Sequence, residues 1–125
     1  MKKPKAMYTV SESQLLDDGV YGQLTTTARI AATEKDALKI LSEMVSEIVE
    51  AEFWGSGLPK RKVEAAKKKI SKSLVSGKDY FSGTKQFDGD IGSFDLTWTR
   101  IDRQNFSFES DSRKVVWKIE LSEVE

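Results

Sequence analysis

Between Lys60 and Lys78 the chain carries eight Lys/Arg residues against a single acid, Glu64. Fixed cations at that density can hold carboxylates or phosphates, so the chemistry on offer is ionic recognition rather than bond making. The whole chain has 20 basic and 20 acidic residues and a formal net charge of +0. The balancing acid is concentrated elsewhere, notably at Glu43, Glu47, Glu50 and Glu52 just upstream. Segregated charge of this kind shapes encounters with partners, whereas the total says little.

Groups that catalyse are sparse. The chain contains no His and no Cys, which removes the commonest general base, the usual transition-metal ligand, thiolate chemistry and disulfides. Asp88-Gly89-Asp90, with Asp95 nearby, lacks the regular oxygen ligands and terminal Glu of a calcium loop and reads as a hairpin turn. Ser82-Gly83-Thr84-Lys85 matches a bare S-x-x-K string without the companion motifs of a Ser/Lys acyl transferase. Gly77-Lys78 lacks the upstream Gly and following Ser/Thr of a phosphate-binding loop. Asn105-Phe106-Ser107 has the form of a glycosylation sequon and, with no secretion signal before it, is read as coincidence. No catalytic residue, metal, cofactor or small-molecule substrate is expected.

Two helices must position the charges. Thr33 is a ready N-cap for a helix in which Leu38, Leu41, Met44, Val45, Ile48 and Val49 form one apolar stripe, with Asp36, Glu43, Glu47 and Glu50 opposite. That helix should stop near Phe53-Trp54-Gly55, where Gly can take the left-handed cap. Pro59 suits the first turn of a second helix, with Val63, Ala66, Ile70 and Leu74 at 3-4 spacing. Arg61, Lys68 and Lys72 project almost opposite that stripe, flanked by Lys62 and Lys69. The acids ending the first helix and Lys60, Arg61 and Lys62 opening the second each oppose their own helix dipole. An antiparallel fold-back would let them meet across the Gly55–Pro59 turn, and Glu64 to Lys68 adds an i,i+4 pair.

The remainder alternates as strands do. Tyr8–Ser11 and Val20–Ala31 are expected to form a hairpin around the turn signal Leu16-Asp17-Asp18-Gly19. In the second of these, Val20, Gly22, Leu24, Thr26, Ala28 and Ile30 share the half-buried face, with Thr25, Thr27 and Arg29 on the other. After the helices, Tyr80–Phe87, Phe94–Thr99, Phe106–Phe108 and Val115–Leu121 read as a meander joined by short turns. Phe94, Trp98, Phe106, Phe108 and Trp117 fall on the apolar alternation, which assigns them to a core rather than a base-stacking platform.

At 125 residues the chain is long enough for one core. The expected organisation is a flexible basic arm, 1–6, followed by a single α+β domain, 7–125. Its order is β(β)αα-ββββ, a helical hairpin on one face of an antiparallel sheet of about five to six strands. The basic start lacks the apolar run of a signal peptide, and nothing approaches the ~18 apolar residues of a membrane span. A cytoplasmic, non-enzymatic binding or regulatory protein is expected, away from membranes. Its candidate contact surface is Trp54 at the interhelical turn with Arg61, Lys68, Lys69 and Lys72 on the second helix, facing another protein or a second copy. The bland reading of those bases is a solvated face whose long stems cover apolar surface. Two further readings are open: a nucleic-acid-associated factor using the same helix, which an isoelectric point near 6.4 disfavours, and a structural subunit of a homo-oligomer.

Overall fold

The structure is a computed structural model that describes residues 5–17, 22–76, 79–90, 92–111 and 113–124. Its elements are β1 (Lys5–Asp17), β2 (Gly22–Ala31), α1 (Glu34–Phe53), α2 (Lys60–Val75), β3 (Phe81–Gly89), β4 (Gly92–Arg100), β5 (Asn105–Glu109) and β6 (Arg113–Val124). The six strands form one antiparallel sheet in the order β2-β1-β6-β5-β4-β3. Both helices lie on one of its faces, giving the α+β fold that the alternations predict.

Register explains where the core sits. Trp98 opposes Phe108, Phe108 opposes Val115, and Phe106 opposes Trp117. Because directly paired residues share a face, these side chains stand together and meet Leu41, Val45, Ile48 and Val49 of α1 and Ala66, Ile70 and Leu74 of α2 in one buried cluster. Each large apolar side chain so buried stabilises by about 1.5–3 kcal/mol. The opposite face is polar, with Ser82 and Thr84 of β3 hydrogen-bonded to Thr99 and Thr97 of β4, both at 3.1 Å.

The helix boundaries follow their caps. Thr33 Oγ1 accepts from Asp36 N–H at 3.1 Å, α1 ends at Phe53, and Gly55 takes φ 77°. Pro59 sits one residue before α2, and its carbonyl accepts from Val63 N–H at 3.2 Å. The two helices run antiparallel, as the contact between Ser42 and Ser71 and the Glu50–Lys67 pair require.

The first hairpin departs from expectation in three ways. β1 is longer than Tyr8–Ser11: it begins at Lys5, inside the expected arm, and runs on through Leu16 and Asp17, which the sequence suggests as a turn. Residues 1–4 of that arm, and Asp18 and Gly19 of the turn, lie outside the described residues. The polar residues that disguise β1 are used, since Glu12 Oε1 accepts from Trp117 Nε1–H at 2.8 Å and Gln14 donates to Glu12 at 3.1 Å. Over residues 26–31 of β2 the faces are reversed, and Val20 lies outside the described residues. Val10, fully buried, opposes Arg29, so Arg29 and Ala31 look toward the helices while Ile30 remains 64% exposed on the outer face. Arg29 reaches Glu43 of α1 at 3.3 Å, and that ionic tether replaces the apolar contact expected of Ile30.

The turn between β4 and β5 is built on Asp102. Its carboxylate accepts from the backbone N–H of Gln104 at 2.7 Å, the side-chain amide of Asn105 at 3.0 Å and the backbone N–H of Asn105 at 2.9 Å. The Gln104 amide first, then the Asn105 side chain, hold the Asp102 carboxyl below its ordinary value of 3.8. A depressed folded-state value stabilises above the unfolded value and is lost as pH falls through the folded one. An NMR titration should therefore show Asp102 protonating below pH 3.8 with loss of the turn's amide shifts. A midpoint at or above that value would contradict this account of the turn.

Candidate interaction surface

The α1–α2 turn is fastened to the β3–β4 hairpin, and this fixes the height at which α2 stands over the sheet. Asp90 N–H donates to the Ser56 carbonyl at 2.8 Å. A Cβ on Gly57, where φ is +78°, would fall 2.0 Å from Asp90 Oδ2, and one on Gly89 would fall 2.6 Å from the Ser56 carbonyl oxygen. The backbone approach at Gly89 leaves no room for a side chain, and the positive φ at Gly57 disfavours any residue but glycine. Phe53 closes the joint edge-on against Phe87 and Phe94, with ring centroids 4.8 and 5.3 Å away.

From this anchor α2 packs over β4. β3, one strand further out, is left with its helix-side surface only partly covered: Lys85 is exposed, and Gly83 and Phe87 are half-buried. The uncovered strip is a groove of about 370 Å³. Its apolar lining is Leu58, Ala65, Ala66, Ile70, Phe87 and Trp98, and its cations are Lys62 and Lys69 from α2 and Lys85 from β3. Four consecutive residues, Lys85 to Asp88, line it. Since alternate side chains leave a strand on opposite faces, a continuous run means that the strand's own edge forms the wall. Trp98 is 2% exposed, and its indole N–H has no hydrogen-bond partner. Gly83 makes room for that indole, because a Cβ there would lie 2.8 Å from its ring.

The other predicted surface residues divide between two sides. Lys68 and Lys72 border the hollow between the helices, together with Ser42, Ser46, Glu64 and Lys67. Lys69 faces the β3 groove instead, and Arg61 is exposed near the start of α2. Trp54 is 88% exposed, which settles it as an uncovered aromatic, but it lies across the bend beside Glu47, Glu50 and Ala51. The structure therefore does not gather Trp54 and the four bases into one patch.

The expected meeting of acids with Lys60, Arg61 and Lys62 is also replaced. Glu50 pairs with Lys67 at 3.7 Å, and Glu52 turns under the helix to Arg113 of β6 at 2.6 Å. Glu64 pairs with Lys67 at i,i+3 rather than with Lys68. Lys67 absorbs both acids because it points into the interhelical hollow, with its side chain 18% exposed. Among the described residues, no acid lies within ion-pair distance of Arg61, Lys62, Lys68, Lys69 or Lys72.

Two of the motifs take structural roles, and Gly77 and Lys78 lie outside the described residues. Ser82 and Lys85 have opposite parity in β3, Ser82 bonding Thr99 on the outer face and Lys85 standing over the Phe87 ring at 5.2 Å. Asp88 accepts from Ser93 at 2.6 Å while Asp90 lies against Gly57. Among the described residues no helix is long and apolar enough to cross a membrane.

Sequence reasoning undervalued Lys62 and did not single out Lys85. The signal for Lys85 was a cation at a position where the alternation of Gly83 and Phe87 points to the helix side. No known family, curated protein or solved structure matches the chain.

Proposed function

We propose that this protein is a non-enzymatic binding module that recognises an acidic protein through the second helix of its helical hairpin. The observation that carries this reading is the set of exposed bases on α2, Arg61, Lys68, Lys69 and Lys72, without acid partners among the described residues. Opposite them, Ala66, Ile70 and Leu74 are buried, so the cations stand on a fixed rod. Unsatisfied charge on a rigid support favours oppositely charged partners in both encounter rate and orientation.

The test is affinity capture from native cells with and without nuclease, using the wild type and an R61Q/K68Q/K69Q/K72Q variant. The wild type should retain a protein after nuclease treatment, and the variant should lose most of it. Retention by both alike would remove the basic helix from the contact. Capture that nuclease abolishes, with binding that weakens steeply above about 50 mM salt, would assign the helix to nucleic acid instead. A concentration-dependent dimer in sedimentation, lost in the variant, would make the partner a second copy.

A further inference from the structure

Among the described residues the sheet has two open edges, β2 and β3, and they differ in what lies beside them. Along β3 there is an apolar groove rimmed by three lysines. A strand at a sheet edge presents unpaired N–H and C=O groups, and an extended peptide can complete them. In an added strand alternate side chains project to the same face. Those on the helix side of β3 would enter the groove against Phe87 and Trp98, and the others would join the polar outer face beside Ser82 and Thr84.

We propose that an extended acidic peptide segment adds as a seventh strand along β3, seating an apolar side chain in the groove on Ile70, Phe87 and Trp98 and its carboxylates on Lys62, Lys69 and Lys85. This rests on the reading above that the partner is an acidic protein, and it names the element of the partner that is held.

The choice of occupant follows from charge and shape together. Lys62 and Lys69 enter from α2 and Lys85 from β3, so cations stand on both walls of one groove, none of them ion-paired among the described residues. The one acid on the wall, Asp88, is already engaged by Ser93. Nine residues of β3 offer an edge about 30 Å long. A segment with acids and apolar residues at every second position matches both the spacing and the charge. The fastened turn at Ser56, Gly57 and Asp90 keeps α2 at a constant height above β3, so the groove is formed before the peptide arrives and little ordering cost falls on this side of the contact.

The probe is a synthetic, end-capped heptapeptide of alternating design, Glu-Thr-Leu-Thr-Phe-Thr-Glu, carrying a fluorophore. Two controls accompany it: a scrambled peptide of the same composition, and one N-methylated at alternate residues so that it cannot donate to a strand edge. Anisotropy should show binding of the alternating peptide and at least about tenfold weaker binding of both controls. K62E/K69E/K85E should weaken binding by about tenfold or more, whereas K35E/K39E, exposed on α1, should leave it unchanged. Hydrogen exchange should show protection added at β3 amides and not at β2.

Equal binding of the N-methylated peptide, absence of binding at millimolar peptide, or indifference to K62E/K69E/K85E would overturn the proposal. Laurate occupying the groove while the peptide does not would also overturn it, assigning the site to a small amphiphilic anion. So would a dimer joined through β3 in hydrogen exchange. If the peptide fails while capture still depends on Arg61, Lys68 and Lys72, the groove inference falls and the broader reading stands. If both fail, the reading falls with it.

Discussion

Arg100→Met is expected to lower unfolding stability by about 3 kcal/mol, with the urea m-value unchanged. Arg100 is 8% exposed on the helix side of β4. Its Nε donates to the Asp79 carbonyl at 2.6 Å, and Nη1 donates to the Ser73 carbonyl and to that of Ser76 at 3.5 Å. A helix ends with four carbonyls that have no partner within it, and its C-terminus favours a cation. One guanidinium thus caps the end of α2 and also holds the segment that leads into β3. Leaving a buried acceptor unsatisfied costs about 1–3 kcal/mol, and methionine can fill the space without supplying a donor. Arg100→Lys should recover less than half of the loss, because an ammonium cannot reproduce a planar fork. Since the acceptors are neutral, the loss should persist at about 1 M salt, where exposed pairs such as Lys118–Glu120 are screened. A loss below about 1 kcal/mol would refute the capping role.

Glu52 and Arg113 should show a large coupling in a double-mutant cycle. Their side chains are 9% and 19% exposed and meet as an ion contact at 2.6 Å between Oε1 and Nε, without hydrogen-bond geometry at those atoms. The pair continues through Arg113 Nη1 to Gln14 at 3.4 Å, Gln14 to Glu12 at 3.1 Å, and Glu12 to the Trp117 indole at 2.8 Å. Arg113→Met strands a nearly buried carboxylate, and Glu52→Leu strands a guanidinium. Breaking a fully buried pair costs about 3–5 kcal/mol, and the remaining exposure here brings each single change to about 2–3 kcal/mol. The double change E52L/R113M removes both charges and leaves apolar groups of similar size, so its stability should lie within about 1 kcal/mol of the wild type. The resulting coupling energy would be about 3 kcal/mol or more, read from urea midpoints of the four proteins. Additive losses would show that the two charges are solvated independently.

Both of these positions expose the limit of pattern reading. The helices were legible because their apolar stripes are long and their caps are local: Thr33, Gly55 and Pro59 act within a few residues of where they stand. The last three strands were legible because each alternates cleanly around Phe94 and Trp98, Phe106, or Trp117, and β3 because the turn signal Asp88-Gly89-Asp90 marks where it ends. Arg100, Glu52 and Arg113 were not, since each is a charged residue that the fold turns inward to a partner far away in sequence. The reversal of β2 has the same origin. Its face is chosen by register with β1 and by the Arg29–Glu43 tether, neither of which a local alternation contains.

Of the candidate surface, the cationic character of α2 was legible and its division was not. Whether Lys69 serves the β3 side or the interhelical side depends on how α2 sits over β4, and that is set by Asp90 and Ser56 at the far end of the helix. Lys85 belongs to the groove only because β3 is paired at the outside of the sheet.

The pairing of β1 with β6 bears on how the chain is made. Glu12 and the Trp117 it holds are 105 residues apart, and closing a loop of that length costs about 4 kcal/mol of chain entropy. β6 follows the other described elements in chain order, and until it forms β1 has β2 as its only strand partner among the described residues. The sheet therefore stays unfinished until β6 is available, and pairing of such distant segments makes folding slow for the domain's size.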